Sequence, residues 1–380
     1  PEELGIYRFD SWLPVRRRLT GSGAPVTYQS RRLAAHLGLN RLFVTFSGFW
    51  PARGCRMLTG TFKECEAYSV CARLPEDFHS VLVVASAGNT ARAFGRVCSE
   101  NEIPLVVVVP ERNLDSLWSI GELSDCVRVI AAGGDSDYSD AIALAATIAS
   151  LHGFTAEGGA KNVARRDGMG TTVLSAAHAI GEIPHHYFQA VGSGTGAIAA
   201  WEANLRLLAS GQFEERKMRI HVSQNAPFQP IHDAWQQGSR ALLELDEQTA
   251  KHQIELIQAL VLANRKPPYG LVGGLYDALV DSQGTSDAVT NGAAADAAEL
   301  FYRLEGNDVS PAAAVAVAGL VRAVETDEIA PDEIVMLNVT GGGQDLVAQH
   351  EDVRHIAPTQ VIDPKHFDVD SVERTIRELF

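Results

Sequence analysis

The chain is poor in lysine. Six of its 32 basic residues are lysines (Lys63, Lys161, Lys217, Lys251, Lys266 and Lys365) and the rest are arginines. Chemistry that needs a primary side-chain amine must therefore come from this short set. Cysteine is also scarce: Cys55, Cys65, Cys71, Cys98 and Cys126 form an odd set with no C-x-x-C pair. That pattern excludes a disulfide framework or a zinc ribbon and fits a reducing cytoplasm. Twelve histidines include no H-E-x-x-H, and the adjacent His185 and His186 read as structural or exposed residues rather than metal ligands. No apolar run reaches the roughly 20 residues of a membrane span. The amino end, PEELGIYRFD, lacks the apolar centre of a secretory signal, and its missing initiator Met implies trimming upstream. Positive charge is in deficit too. A net charge of -15 and a pI near 5.2 argue against nucleic acid as a general partner.

What is present is the composition of a folded enzyme. The 380 residues are 46% hydrophobic and 21% charged, with a mean hydropathy of -0.02. That is enough apolar surface for two domains or one large one. Buried strand patterns alternate with helical ones. Val81–Ala85 (VLVVA), Leu105–Val109 and Val127–Ile130 read as strands, with helices at Ala91–Glu100 and Tyr138–Leu151. Downstream, a strand at Tyr187–Val191 runs into GSGTGA and a helix at Ala197–Ala209. Strands follow at Arg219–Val222 and Ile334–Val339, the latter ending in TGGGQD. Repeated strand, glycine-rich turn and helix predict an α/β fold with mostly parallel sheets and helices on both faces. The layout expected is two open αβα domains: a discontinuous larger one from 1–75 and 170–380, and a smaller mobile one from 76–169.

Three turns stand out, each expected at the carboxyl end of a strand, where such folds bind ligands. Gly192-Ser193-Gly194-Thr195-Gly196 lies between a strand and a helix, so its amides and the helix's positive end can cradle a phosphate. The same turn, read as G-x-G-x-x-A, could hold a dinucleotide in an NAD(P)-dependent oxidoreductase. The next strand ends in Ser223 and Gln224, without the acidic residue that a ribose needs. Ser86-Ala87-Gly88-Asn89-Thr90 suits a helix cap or a substrate carboxylate. Thr340-Gly341-Gly342-Gly343 is nonspecific alone. Lys63 opens a helical pattern, KECEAYSVCARL, at the positive end of that helix. Such a position depresses an amine's pKa, as a Schiff-base lysine requires. The other lysines, Lys161 apart, lie in polar surroundings that read as solvated surface.

The order of lysine, S-x-G-N-T turn, phosphate loop and late threonine-glycine turn resembles the fold-type II pyridoxal-phosphate (PLP) enzymes, tryptophan synthase β-like in architecture. The stretches FDSWLPV, FSGFWP, TFKECEA, ASAGNTARAF, GGAKNVARRDGMGT, HYFQAVGSGTGAIAAWEANLRL, NRKPPYGLVGGLYDALVD and NVTGGG resemble the cysteate synthase family, relatives of the threonine synthases. By that resemblance Lys63 forms the internal aldimine and Asn89 bonds the ring hydroxyl. Gly192, Ser193, Gly194, Thr195 and Gly196 grip the cofactor phosphate, and Thr340 faces the pyridine nitrogen. Ser86, Ala87, Gly88 and Thr90 hold the substrate carboxylate. Lys161, Asn162, Arg165 and Arg166, in a segment like the substrate-phosphate segment of threonine synthases, take the anionic groups. A hydroxyl at Thr340 makes the ring a weaker electron sink, which suits elimination to an aminoacrylate.

The implied reaction is β-replacement on O-phospho-L-serine by sulfite, giving L-cysteate and phosphate, in a cytoplasmic homodimer or higher homo-oligomer without a metal. Alternatives within PLP chemistry are a threonine synthase-like conversion of O-phosphohomoserine, or replacement by another small nucleophile. From other classes come the NAD(P)-dependent oxidoreductase and a non-enzymatic ligand binder. Trp12, Trp50, Tyr269 and Tyr276 read as core residues.

Overall fold

The computed structural model describes residues 2–86, 88–364 and 368–380. The chain folds into two compact units. One comprises residues 1–23, 63–168 and 347–380; the other comprises 24–62 and 169–346. These bounds differ from the expected 76–169 and its complement. Residues 347–380 return to the first unit, where Gln360–Ile362 pairs with Val127–Ala132, while residues 1–23 and 63–75 belong to it without adding a strand to its sheet among the described residues.

In the first unit a five-stranded sheet runs in the order Gln360–Ile362, Val127–Ala132, Leu105–Pro110, Val81–Ala85, Phe154–Ala156. Every neighbouring pair is parallel. Leu105–Pro110 is buried at every position, which explains an uninterrupted apolar run in place of alternation. On one face, Val83, Val106, Val108 and Ile130 pack with Ala141, Leu144 and Ile148 of the helix Tyr138–Ala149 and with Val372 and Ile376. That helix begins with a capping box: Asp137 accepts from Ser139 and Asp140, and Asp140 accepts from the Asp137 amide.

The second unit holds a six-stranded sheet ordered Val26–Gln29, Arg41–Phe46, Ile334–Val339, His186–Ala190, Arg219–Asn225, Thr285–Val289. Only the Val26–Gln29 edge is antiparallel. The helix Pro311–Glu325, capped by the Ser310 hydroxyl, buries Ala313, Val315, Ala316, Val317 and Leu320 in a core shared with Val335, Leu337 and Phe188. The helix Thr195–Ser210 follows the strand His186–Ala190 through the predicted glycine turn. The parallel α/β class is as expected.

His186 and His221 sit near the amino ends of adjacent strands and are 4% and 3% exposed. His186 Nε2 lies 3.0 Å from Glu333 Oε2, and His186 Nδ1 lies 2.9 Å from His221 Nε2. His221 Nδ1 is 2.8 Å from the Thr285 hydroxyl. The Glu333 carboxylate can only accept, so His186 donates through Nε2, accepts from His221, and His221 accepts from Thr285. Both rings are thus neutral and fully employed, and burial pushes both pKa values below the ordinary 6.5, His221 well below it. The unfolded chain therefore binds more protons than the native one below that value. Native stability should fall as pH drops through about 6.5, read as a decrease in the urea midpoint. His221→Gln should flatten that dependence.

Candidate active site

Lys63 is the first residue of the helix Lys63–Arg73. Its side chain is 17% exposed, and Nζ donates to Glu66 Oε2 at 3.1 Å, one turn along the same helix. Glu66 is fully buried. Its other oxygen, Oε1, accepts from the Thr90 hydroxyl at 3.0 Å and lies 3.4 Å from Arg165 Nη1. Arg165 in turn forks onto Glu157, with Nε 2.9 Å from Oε1 and Nη2 on Oε2. Tyr138 lies within electrostatic reach of Arg165, Glu66 and Glu157, and burial raises its pKa.

This array tunes the amine. Burial lowers the Lys63 pKa first of all; Glu66 pulls it up, and Arg165 pushes it further down. The sequence pointed to a depressed value for another reason, the positive end of a helix. The larger cause is removal from water.

The remaining predicted residues of this unit fall into place locally. Ser86 Oγ accepts from the amides of Gly88 and Ala91, both at 2.9 Å, at the start of the helix Asn89–Glu100. Asn89 Oδ1 accepts from Arg92 Nη2 at 2.7 Å. Ala87 lies outside the described residues. Asn162 Oδ1 accepts from the Ala164 amide at the start of the helix Val163–Ile180, while its Nδ2 donates to the Glu157 carbonyl. Arg166 donates to the Ala160 carbonyl, and Lys161 is exposed. Lys63, Thr90 and Arg165 therefore belong to one cluster, and the exposed Lys161 does not.

In the second unit, the turn Gly192–Gly196 leads into the sixteen-residue helix Thr195–Ser210. Gly194 is its amino cap, with φ 80°, and brings no capping side chain. The turn's three glycines are closely packed. A Cβ at Gly192 would lie 2.9 Å from Leu262 Cα, one at Gly194 2.7 Å from Leu275 Cδ2, and one at Gly196 2.5 Å from Gln189 Nε2. The Ser193 and Thr195 hydroxyls are 2.8 Å apart. Beneath lies a buried polar trio: Asn338 Nδ2 donates to the Tyr187 hydroxyl at 2.7 Å and to Gln189 Oε1 at 3.1 Å, and Tyr187 donates to Gln189. Thr340 is 7% exposed, and its carbonyl accepts from the Phe62 amide at 2.9 Å. The glycines after it are closely packed; a Cβ at Gly343 would fall 1.8 Å from the Phe49 carbonyl oxygen. A cavity of about 440 Å³ lies beside Arg219–Asn225 and Thr285–Val289, lined by His221, His232, Trp235, Asp287 and Arg322 among others. None of the predicted site residues lines it.

Sequence reasoning missed Glu66, Glu157, Tyr138 and the Tyr187–Gln189–Asn338 trio. Only the spacing of Glu66 from Lys63, three residues on a helical pattern, could have signalled any of them.

Residues 22–341 match the family described as pyridoxal-phosphate dependent enzyme. A cysteate synthase of Methanosarcina acetivorans is 48% identical over 343 residues, 90% of this chain and 82% of that protein. That of Methanocella paludicola is 44% identical over 380 residues, 99% of this chain and 89% of that protein. The chain belongs to the cysteate synthase family. The fold agrees: maize serine racemase matches with a TM-score of 0.62 at 17% identity, covering 86% of this chain and 90% of that one. Tomato threonine deaminase isoform 2 matches with a TM-score of 0.62 at 16% identity, covering 86% of each chain. The protein is a fold-type II PLP-dependent enzyme acting on small substrates, and pyridoxal phosphate is its cofactor.

The residues present fit that group. A cofactor with an aldehyde and a phosphate needs an amine of lowered pKa and an anion cradle. The array around Lys63 also carries stability. Arg165→Met would leave the Glu66 and Glu157 carboxylates buried without their guanidinium. The expected cost is about 3–5 kcal/mol, measured by urea denaturation near neutral pH.

Proposed function

We propose that the protein replaces the phosphate of O-phospho-L-serine with sulfite, releasing L-cysteate and inorganic phosphate. The observation that carries this reading is the buried amine of Lys63, hydrogen-bonded to Glu66, in a chain of which 90–99% aligns with proteins named cysteate synthase. Pyridoxal phosphate, when bound, supplies an electron sink that makes the substrate's Cα acidic and lets a group depart from Cβ.

The chain's own residues would do the rest. Lys63, its pKa lowered by burial, would hold the cofactor through its aldehyde. Released by the substrate amine, it takes the proton from Cα and later returns it. The amides of Gly192–Gly196 and the positive end of their helix hold the cofactor phosphate. The Thr340 hydroxyl would serve the ring nitrogen, and Asn89 the ring hydroxyl. The Ser86–Thr90 turn orients the substrate carboxylate, and Lys161, Asn162 and Arg166 receive the phosphate of the substrate and the incoming sulfite. Arg165 is left out of that set because its donors face carboxylates. Exclusion of water favours replacement by sulfite, since the substrate left after phosphate departs, if hydrolysed at Cα instead, gives pyruvate and ammonia.

Product analysis by mass spectrometry tests the reading. O-phospho-L-serine with sulfite should yield cysteate and phosphate in equal amounts, and O-phosphohomoserine should yield no threonine. Phosphate release that ignores sulfite and gives only pyruvate overturns it. Borohydride should bleach the yellow protein and place the label on Lys63, and Lys63→Ala should be colourless. Gly194→Ala forces a side chain onto a left-handed residue and against Leu275. Cofactor retention on gel filtration should fall at least tenfold, the equivalent of about 1.4 kcal/mol.

A further inference from the structure

Two cations and two anions meet around the Lys63 amine, and all four side chains are largely buried. Their side-chain exposures are 17% for Lys63, 0% for Glu66, 9% for Arg165 and 4% for Glu157. With every group ionised the formal charges cancel; with Lys63 neutral the array carries one net negative charge. The groups that face Lys63 come from separate elements: Glu66 from its own helix, Arg165 from the helix Val163–Ile180, and Glu157 from the segment after the strand Phe154–Ala156. Tyr138, from the helix Tyr138–Ala149, faces the same three ionised groups.

The geometry fixes direction as well as charge. Thr90 and Arg165 both engage Glu66 Oε1, which leaves Oε2 toward Lys63 Nζ. Arg165 is held in turn, because a planar guanidinium gripped by Glu157 at two nitrogens has little freedom to rotate. An arriving phosphate or sulfonate would have to displace a carboxylate from it.

We propose that Glu66, Glu157 and Arg165 form a positioning array that aims the Lys63 amine and sets the pH at which it becomes a nucleophile. The proposal rests on the reading of Lys63 as the cofactor-binding lysine, and it takes Arg165 out of substrate-anion recognition. The signs are opposite for opposite charges. Removing the Glu66 charge favours the neutral amine and lowers its pKa, whereas removing the Arg165 charge favours the ammonium and raises it.

The test is the rate of pyridoxal phosphate uptake by apoenzyme, followed by absorbance across the neutral and alkaline range. Uptake requires the neutral amine, so its midpoint reports Lys63. Glu66→Gln should move the midpoint down and Arg165→Gln should move it up, each by about one pH unit or more. Arg165→Lys, which keeps the charge, should stay closer to wild type than Arg165→Gln. A merely structural role would move both midpoints together or neither, and either result overturns the proposal. Should Arg165→Gln fail to fold, Arg165→Gln combined with Glu157→Gln must show a higher midpoint than Glu157→Gln alone. With O-phospho-L-serine, Arg165→Gln should change kcat while KM stays within about twofold (under 0.5 kcal/mol of uniform binding). A tenfold rise in KM with an unmoved uptake midpoint assigns Arg165 to the substrate instead and overturns the proposal. If borohydride labels no Lys63 in the wild-type holoenzyme, the functional reading itself fails, a result separate from the others.

Discussion

A primary amine taken out of water must either lose its proton or keep a counter-charge, and the first unit is organised around that conflict at Lys63. Burial alone drives the amine toward neutrality, Glu66 at 3.1 Å restrains it, and Arg165 offsets the restraint. Each interaction is modest beside the cost of burying an unpaired charge, so the four groups hold one another in place. The capped helices and the parallel sheet supply the rigid frame. Val163–Ile180 begins at Asn162, whose side chain also grips the Glu157 backbone, so the elements that deliver Arg165 and Glu157 are tied together.

The second unit solves a different problem with the same architecture. Its turn after His186–Ala190 is packed closely at three glycines, because any Cβ there would meet Leu262, Leu275 or Gln189. The helix beyond it starts without a side-chain cap, which leaves its positive end available to a phosphate. Behind the turn, Tyr187, Gln189 and Asn338 bond one another, so Gln189, which limits the space at Gly196, is itself held. The neutral His186–His221 pair lies at the other end of the same strands, where it links strands rather than serving chemistry.

Much of this was legible in the residues. Strands buried on both faces, such as Val81–Ala85 and Ile334–Val339, read as apolar runs and appear at the expected bounds. Thr285–Val289 (TSDAV) and Gln360–Ile362 were not legible, because edge strands are short and carry polar side chains. The glycine turn showed its nature, since few residue patterns substitute for glycine where backbone must come close. Glu66 and Glu157 did not. An acidic residue on a helix or loop is ordinarily solvated, and both are paired with Arg165, eight residues from Glu157 but 99 from Glu66. The unit bounds were missed for a similar reason. Residues 347–380 join the first unit through Val372 and Ile376, through the strand Val353–His355 and, in the main sheet, through the strand Gln360–Ile362.

That strand also bears on synthesis. Gln360–Ile362 pairs with Val127–Ala132, so the sheet of the first unit stays open on one side until the second unit has been translated in full. At ~5–20 residues per second, the gap between the two strands corresponds to roughly ten to fifty seconds of exposed edge on a nascent chain. The second unit waits until shortly before then for Ile334–Val339, an interior strand of its sheet between Arg41–Phe46 and His186–Ala190, so both sheets are completed late. In a chain of this order the Val127–Ala132 edge waits for the last of the first unit's parallel pairings to be made.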